Sequence, residues 1–358
     1  MHILLVEPNY QIRLPNVALM KFSAKHKLLG DTTEYIKGEK EASKTPDIIY
    51  ISTIFTYYAF ETIRCINYYK DKYGISKIQV GGVFATLMPE YIFEKTGIKP
   101  FIGCIDELDR IKPDYDIVQE MIKYSPYIKK YEDFSILFST RGCIRKCGFC
   151  VVAKVEPNHY VIDNWKELID TSKKCIMFQD NNLTSAPIEH FKDVMKYVID
   201  NNLYLCLNNG LDCRIISEEQ MQIISKVKWY PGGLRFAFDN MSEDVHLQRV
   251  VTRLLELGVT KGAFLIYCLY NFTDDFNEAM YRFSECRRLK VRPYPQIYRP
   301  HDSLVKKEVF VSEWWNLELI REFRNYWYLA GNYKYKTFEE FLATKGKKIE
   351  DLNIKVKQ

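Results

Sequence analysis

Three cysteines carry the clearest chemistry in this chain. They lie in the string Arg141-Gly142-Cys143-Ile144-Arg145-Lys146-Cys147-Gly148-Phe149-Cys150, spaced Cys-x3-Cys-x2-Cys within eight residues. Thiols this close in sequence must share one centre if they bind metal at all. A [4Fe–4S] cube has four irons, so three thiolates leave one iron without a protein ligand. An open iron of this kind is able to chelate the amino and carboxylate groups of a bound molecule and pass it an electron. The competing chemistries fit less well. Structural zinc needs four closed ligands, often as two Cys pairs or with His, and His159 follows no familiar zinc spacing. A disulfide fails on the odd count and on the compartment argued below. Three unrelated core cysteines would not sit on a Gly-flanked loop beside Arg145 and Lys146.

The elements that position this loop read as α/β. Short apolar runs alternate with helical stretches, the pattern of parallel strands joined by crossover helices. Apolar strand runs at Ile3–Val6, Ile48–Ile51 and Lys77–Val80, with helices near Asn16–Leu28 and Tyr58–Tyr73, predict a doubly wound β-α-β arrangement over residues 1–115. Residues 116–133, with the charged, Tyr-rich stretch Lys123–Asp133, read as a linker or interdomain helix. From 134 to 299 the pattern repeats strand then helix six times. The strands are placed at Ser135–Ser139, Cys175–Gln179, Tyr204–Asn208, Leu234–Phe238, Ala263–Tyr267 and Arg292–Ile297. The helices fall near Asn164–Lys173, Ile188–Asn201, Glu218–Lys228, Glu243–Leu257 and Phe276–Leu289. A spacing of roughly 30 residues per unit is that of a βα barrel, and six units close only part of one. Residues 300–358 read as a helical extension whose Trp- and Tyr-rich segment Trp314–Tyr328 packs a core.

The Cys-x3-Cys-x2-Cys motif with Phe149 before its last cysteine, directly after the first strand of a partial barrel, resembles the radical S-adenosylmethionine superfamily. That resemblance covers about Ser135 to Ile297. It implies a [4Fe–4S] cluster on Cys143, Cys147 and Cys150, and reductive cleavage of S-adenosylmethionine to a 5′-deoxyadenosyl radical that abstracts a substrate hydrogen. An external one-electron donor of flavodoxin or ferredoxin type is implied as a partner. Family members usually carry a Gly-Gly-Glu-like turn after the second barrel strand, where this chain has Gln179-Asp180-Asn181-Asn182. Carried over residue by residue, Phe149, Gln179, Asp180, Asn208, Arg214, Asp239 and Tyr298 are expected against the cofactor. The rim of a barrel's C-terminal face is where active-site groups collect.

The string Lys77-Ile78-Gln79-Val80-Gly81-Gly82-Val83-Phe84-Ala85-Thr86 resembles the cobalamin-binding-type domain found before many such barrels. After the first strand, however, Pro8-Asn9-Tyr10 stands where an Asp-x-His-x-x-Gly would be. The expectation is a domain that shapes the substrate pocket without holding cobalamin. Overall layout is similar to the queuine lyases of queuosine salvage, which release 7-aminomethyl-7-deazaguanine by breaking a carbon–nitrogen bond. A deazaguanine edge offers adjacent N–H donors, so a rim carboxylate is needed. Asp239 and Asp180 are the catalytic candidates, and Asn9, Asn209 and Asn240 the substrate-binding ones. Radical methylation or epimerisation of a metabolite or peptide is the enzymatic alternative. A non-catalytic iron–sulfur or zinc module is the alternative of another class.

Bulk properties narrow the partners. A net charge of +5 on 358 residues is mild and shows no basic stripe interleaved with aromatics, so nucleic acid is not expected as a partner. No run of 18 apolar residues is present, and Met1-His2-Ile3-Leu4-Leu5-Val6 reads as a first strand with no signal peptide. Ten cysteines without an export signal point to the cytoplasm, where thiols serve metals or sit buried. Cys175, Cys206, Cys213, Cys268 and Cys286 are expected in the core.

Overall fold

In the computed structural model, which describes residues 1–330, 335 and 337–357, the chain is mixed α/β with parallel sheets. Residues 331–334, 336 and 358 of the expected C-terminal extension lie outside the described residues. Two compact units are present: Met1–Asn181 with His301–Glu308, and Asn182–Pro300 with Val309–Gln358.

The first unit is built on a four-stranded parallel sheet in the order β2-β1-β3-β4, formed by β1 (His2–Glu7), β2 (Thr32–Lys37), β3 (Ile48–Thr53) and β4 (Ile78–Gly82). Side chains alternate across a strand, so a parallel sheet covered on both faces needs apolar residues at every position. The run Ile3-Leu4-Leu5-Val6 meets that demand, and all four residues are fully buried. Leu4 and Val6 face one core with α2 (Ala59–Tyr73), α3 (Val83–Leu87) and α4 (Pro89–Thr96). Ile3 and Leu5 face the other with α1 (Val17–Leu28), whose N-cap Asn16 accepts from Leu19 N at 3.2 Å. The chain leaves β1 towards β2 on one side and returns to β3 on the other. The strand order therefore reverses between β1 and β3, which opens a crevice at their carboxyl ends.

The stretch expected as a linker or interdomain helix packs into this second core. A helix at Ile117–Tyr124 buries Ile117, Val118 and Met121, and Ile128 follows in a 3-10 segment. Beyond it, β5 (Phe134–Leu137) pairs in parallel with β8 (Cys175–Phe178). The expected helix at Asn164–Lys173 is not formed; only a 3-10 turn at Trp165–Leu168 appears. The reason is local. Asp170 accepts from both the backbone N–H (3.1 Å) and the hydroxyl (2.8 Å) of Ser172, a side-chain turn that competes with helical hydrogen bonds.

In the second unit, β9 (Leu234–Ala237), β10 (Phe264–Tyr270) and β11 (Arg292–Ile297) form a three-stranded parallel sheet. Helices Ile188–Asp200, Asp244–Glu256 and Phe276–Arg288 fall close to their expected places, while the one begun at Glu218 stops at Ile224, short of Lys228. An aromatic core of Tyr270, Phe276, Phe283, Trp315, Phe323 and Trp327 holds the C-terminal segment. Among the described residues no helix is long and apolar enough to cross a membrane.

Candidate functional site

The cysteine string is an excursion from a two-stranded antiparallel ribbon. Strand β6 (Thr140–Arg141) enters it and β7 (Tyr160–Val161) leaves it, with Arg141 opposite Tyr160. Gly142 makes the sharp departure at φ +71°, and a Cβ there would stand 2.1 Å from the Asn158 carbonyl oxygen. No other residue type fits that position without moving the backbone. Within the loop, Cys150 N donates to Cys147 O at 3.0 Å, and Cys143 Sγ accepts from Arg145 N at 3.4 Å. The Phe149 carbonyl accepts from His301 Nε2 at 2.9 Å, so the 301–308 strap lies against the loop.

Cys143, Cys147 and Cys150 are all half-buried, whereas Cys65, Cys175, Cys206, Cys213, Cys268 and Cys286 are buried. Cys104 is the other half-buried cysteine, and burial, opposed by the nearby Arg141, pushes its thiol up to about 11. Burial likewise raises Cys213 to about 12. Among the described residues no group of three or more His, Cys, Asp or Glu side chains is arranged to hold a metal ion. The residue types themselves suit iron–sulfur: three half-buried thiols on one short loop.

Both ends of the loop are anchored by charge. Arg141, the residue before Gly142, donates bidentately to Asp109 (2.9 and 2.5 Å) and through Nη1 to Glu156 Oε1 (3.0 Å). Glu156 Oε2 accepts from Gly142 N at 2.9 Å and from Asn181 Nδ2 at 2.7 Å. Asp109 in turn accepts from Lys21 Nζ of α1 at 3.1 Å, and from the Tyr160 hydroxyl at 3.1 Å. The Arg141 guanidinium stacks 3.5 Å from the centre of the Phe138 ring. Burial opposes the ionisation of Asp109, but Arg141 and Lys21 outweigh it and hold the carboxyl below its usual range. Burial lowers Lys21 despite the same partner.

These groups line a cavity of about 610 Å³ in the first unit, at the crevice where the strand order reverses. Its wall includes Glu7 from the end of β1, Ser52 and Thr53 from β3, Gly81 and Gly82 from β4, and Phe138, Arg141, Glu156 and Gln179 from the following segment. Glu7 is buried, with Lys37 Nζ at 2.6 Å, and burial raises its carboxyl even so. The volume is that of a small-molecule site.

The expected site residues divide between the two units. Gln179 lines the cavity. Asp180 is buried beside it, accepting from Ser139 N at 2.7 Å and from the Ser139 hydroxyl; burial raises it to about 6 against those bonds. Asn9 is exposed. In the second unit Glu243 draws three expected residues together: its Oε2 accepts from Asp239 N (2.5 Å) and Asn240 N (3.3 Å), and its Oε1 pairs with Arg214 (3.2 Å). Arg214 also pairs with Asp212 at 2.7 Å. Asp239 Oδ1 accepts from Leu269 N at 3.0 Å, and burial, with Glu243 next, raises its carboxyl to about 7. Asn208 accepts from Arg235 and lies beside the exposed Asn209. The Tyr298 ring packs on Phe272 and Phe310. Glu243 went unread in the sequence, although Asn240-x-x-Glu243 has the capping-box spacing the structure forms there. No protein-family model matches this chain, and no curated protein matches it.

Proposed function

We propose that this chain is a radical S-adenosylmethionine enzyme acting on a small molecule, with Cys143, Cys147 and Cys150 holding a [4Fe–4S] cluster. The observation that carries this reading is the loop itself: three half-buried thiols at Cys-x3-Cys-x2-Cys spacing, flanked by Arg141 and Glu156, which both line the 610 Å³ cavity. When bound, the cluster would supply the electron that cleaves S-adenosylmethionine to methionine and a hydrogen-abstracting 5′-deoxyadenosyl radical. The remaining work falls to the chain's own groups. Phe138 and the apolar cavity wall exclude water, which protects a reactive species from side reactions. Gln179 offers an amide to a bound molecule, and Glu7 a buried carboxylate. Asp239, with its carboxyl near 7, is suited to hold or release a proton at neutral pH.

The architecture proposed with this activity is a Rossmann-like first domain, a partial (βα)6 barrel and a helical extension. Phe149, Gln179, Asp180, Asn208, Arg214, Asp239 and Tyr298 remain the proposed cofactor contacts, and Asn9, Asn209 and Asn240 the substrate contacts. Queuine is the first substrate to try, cleaved to 7-aminomethyl-7-deazaguanine in a cytoplasmic salvage route, with a flavodoxin- or ferredoxin-type donor and no cobalamin.

The test is anaerobic reconstitution with iron and sulfide. About four irons per chain are expected, and Cys147→Ala should lose most of them. With dithionite and S-adenosylmethionine the protein should form 5′-deoxyadenosine, faster with queuine than with short peptides. Zinc in place of iron, with no 5′-deoxyadenosine, ends the enzyme reading in favour of a binding module.

A further inference from the structure

We infer that Glu156 is a positioning residue that closes the cysteine loop into a ring, and that Asp109 ties this ring to α1 of the first domain; its bearing on iron rests on the cluster reading above. One carboxylate spans the loop. Glu156 Oε2 takes the N–H of Gly142, the residue before Cys143, and Oε1 takes Arg141 Nη1, while Glu156 itself follows the helical turn Val152–Val155 after Cys150. This side chain thus ties the two ends of the thiol-bearing segment together just inside the β6–β7 ribbon. Asn181 Nδ2 adds a third bond to the same carboxylate, at Oε2, at 2.7 Å.

The ring does not stand alone. Arg141 places its other two donors on Asp109, and Asp109 accepts from Lys21 of α1. Lys21 and Asp109 are 2% and 3% exposed while Arg141 and Glu156 are half-buried, so this chain of alternating charges is shielded from solvent at its α1 end. Buried charges with two or three hydrogen-bonded partners each hold geometry more firmly than surface pairs, because removing one strands the next. The order Lys21–Asp109–Arg141–Glu156 runs from the first helix of the sheet domain to the closing residue of the loop, along the wall of the cavity. Nothing in the hydrophobic core requires these ions. Their arrangement makes sense if the loop must hold its shape while its side chains take up a bulky group, and if that shape must register with the domain that lines the cavity. Groups that orient metal ligands from outside the ligand set typically change metal retention by about 10- to 100-fold when removed.

The experiment uses the full-length chain with Glu156→Ala, Glu156→Gln and Asp109→Asn. Hydrogen exchange is first measured without metal over the peptide covering 141–156, with a peptide from β1 as reference for global opening. Loss of iron to a chelator is then followed after reconstitution. Glu156→Ala should speed exchange in the loop peptide by about tenfold or more while the β1 peptide is unchanged. Glu156→Gln should recover part of the protection, since its amide oxygen still accepts from Gly142 N. Asp109→Asn should show a smaller rise. Iron should leave all three variants faster than the wild type, in the same order. Exchange unchanged in Glu156→Ala overturns the ring, whatever iron does. Exchange raised with iron retention unchanged overturns the positioning role. If the wild type binds no iron, the cluster reading fails by itself, and the exchange result still decides the ring.

Discussion

Asp180 closes on Ser139: one carboxylate oxygen accepts from the backbone N–H at 2.7 Å and the other from the hydroxyl. The contact joins the segment just after β8 to the residue immediately before β6, so Asp180 braces the strand that leads into the cysteine loop. Asp180→Ala leaves a buried backbone donor without its acceptor and should cost about 1–3 kcal/mol in urea denaturation. Asp180→Asn keeps one acceptor and should lose less. An alanine variant as stable as the wild type would show that the brace contributes nothing.

The pH dependence of stability follows from Asp180 and Asp239, whose carboxyls are raised by burial to about 6 and about 7. Each is protonated in the fold at pH values where the unfolded chain has already released its proton. The fold therefore binds more protons between about pH 4 and 7, and stability falls as pH rises through that window. Asp239→Asn keeps an acceptor for Leu269 N and removes the charge near Glu243. It should gain on the order of 1–2 kcal/mol over the wild type at pH 8 and little at pH 5. Identical pH slopes for wild type and variant would count against the assignment.

Gly142→Ala places a methyl 2.1 Å from the Asn158 carbonyl oxygen, on a backbone at φ +71°. The strain should cost about 2 kcal/mol or more and be felt first in the cysteine loop. Thermal denaturation and iron content after reconstitution both report it.

Cys104→Ala provides a contrast with the motif. Its thiol, pushed up to about 11 by burial, stays protonated at neutral pH and is a poor metal ligand. Reconstituted Cys104→Ala should keep its iron, while Cys143→Ala and Cys150→Ala should not.

Arg282 is fully buried, donating to the Phe238 and Leu269 carbonyls at 2.7 Å each and to Asp274 at 2.6 Å. Arg282→Met strands Asp274 in the core and should cost about 3–5 kcal/mol. Circular dichroism against temperature gives the size of the loss.

Much of the α/β alternation was legible because fully apolar strand runs and amphipathic helices carry distinct periods. The apolar run Ile3–Val6 and the amphipathic helices Ile188–Asp200 and Asp244–Glu256 lie within a residue of their expected bounds. Strand β2 was missed, since Thr32-Thr33-Glu34-Tyr35 offers no apolar run and its first residues are exposed or half-buried at the sheet edge. Residues 116–133 look charged, yet Ile117, Val118, Met121 and Ile128 fall on one face and are buried. The cysteine loop was visible because its donors are local. The anchors were not: Asp109 meets Arg141 across 32 residues and Lys21 across 88, and no short-range pattern encodes such pairs. Glu156 and Glu243 are nearer to their partners, but a single glutamate on a loop or cap has many ordinary uses.

The Glu156 bond to Gly142 also bears on the polymer statistics of ligand capture. A free segment of roughly fifteen residues must give up about 2 kcal/mol of configurational freedom to bring its ends together. Here the folded chain has already made that closure, through the β6–β7 ribbon and the Glu156 carboxylate inside it. Whatever the thiols grasp meets a short tethered arc, and its binding energy is left for arranging three side chains.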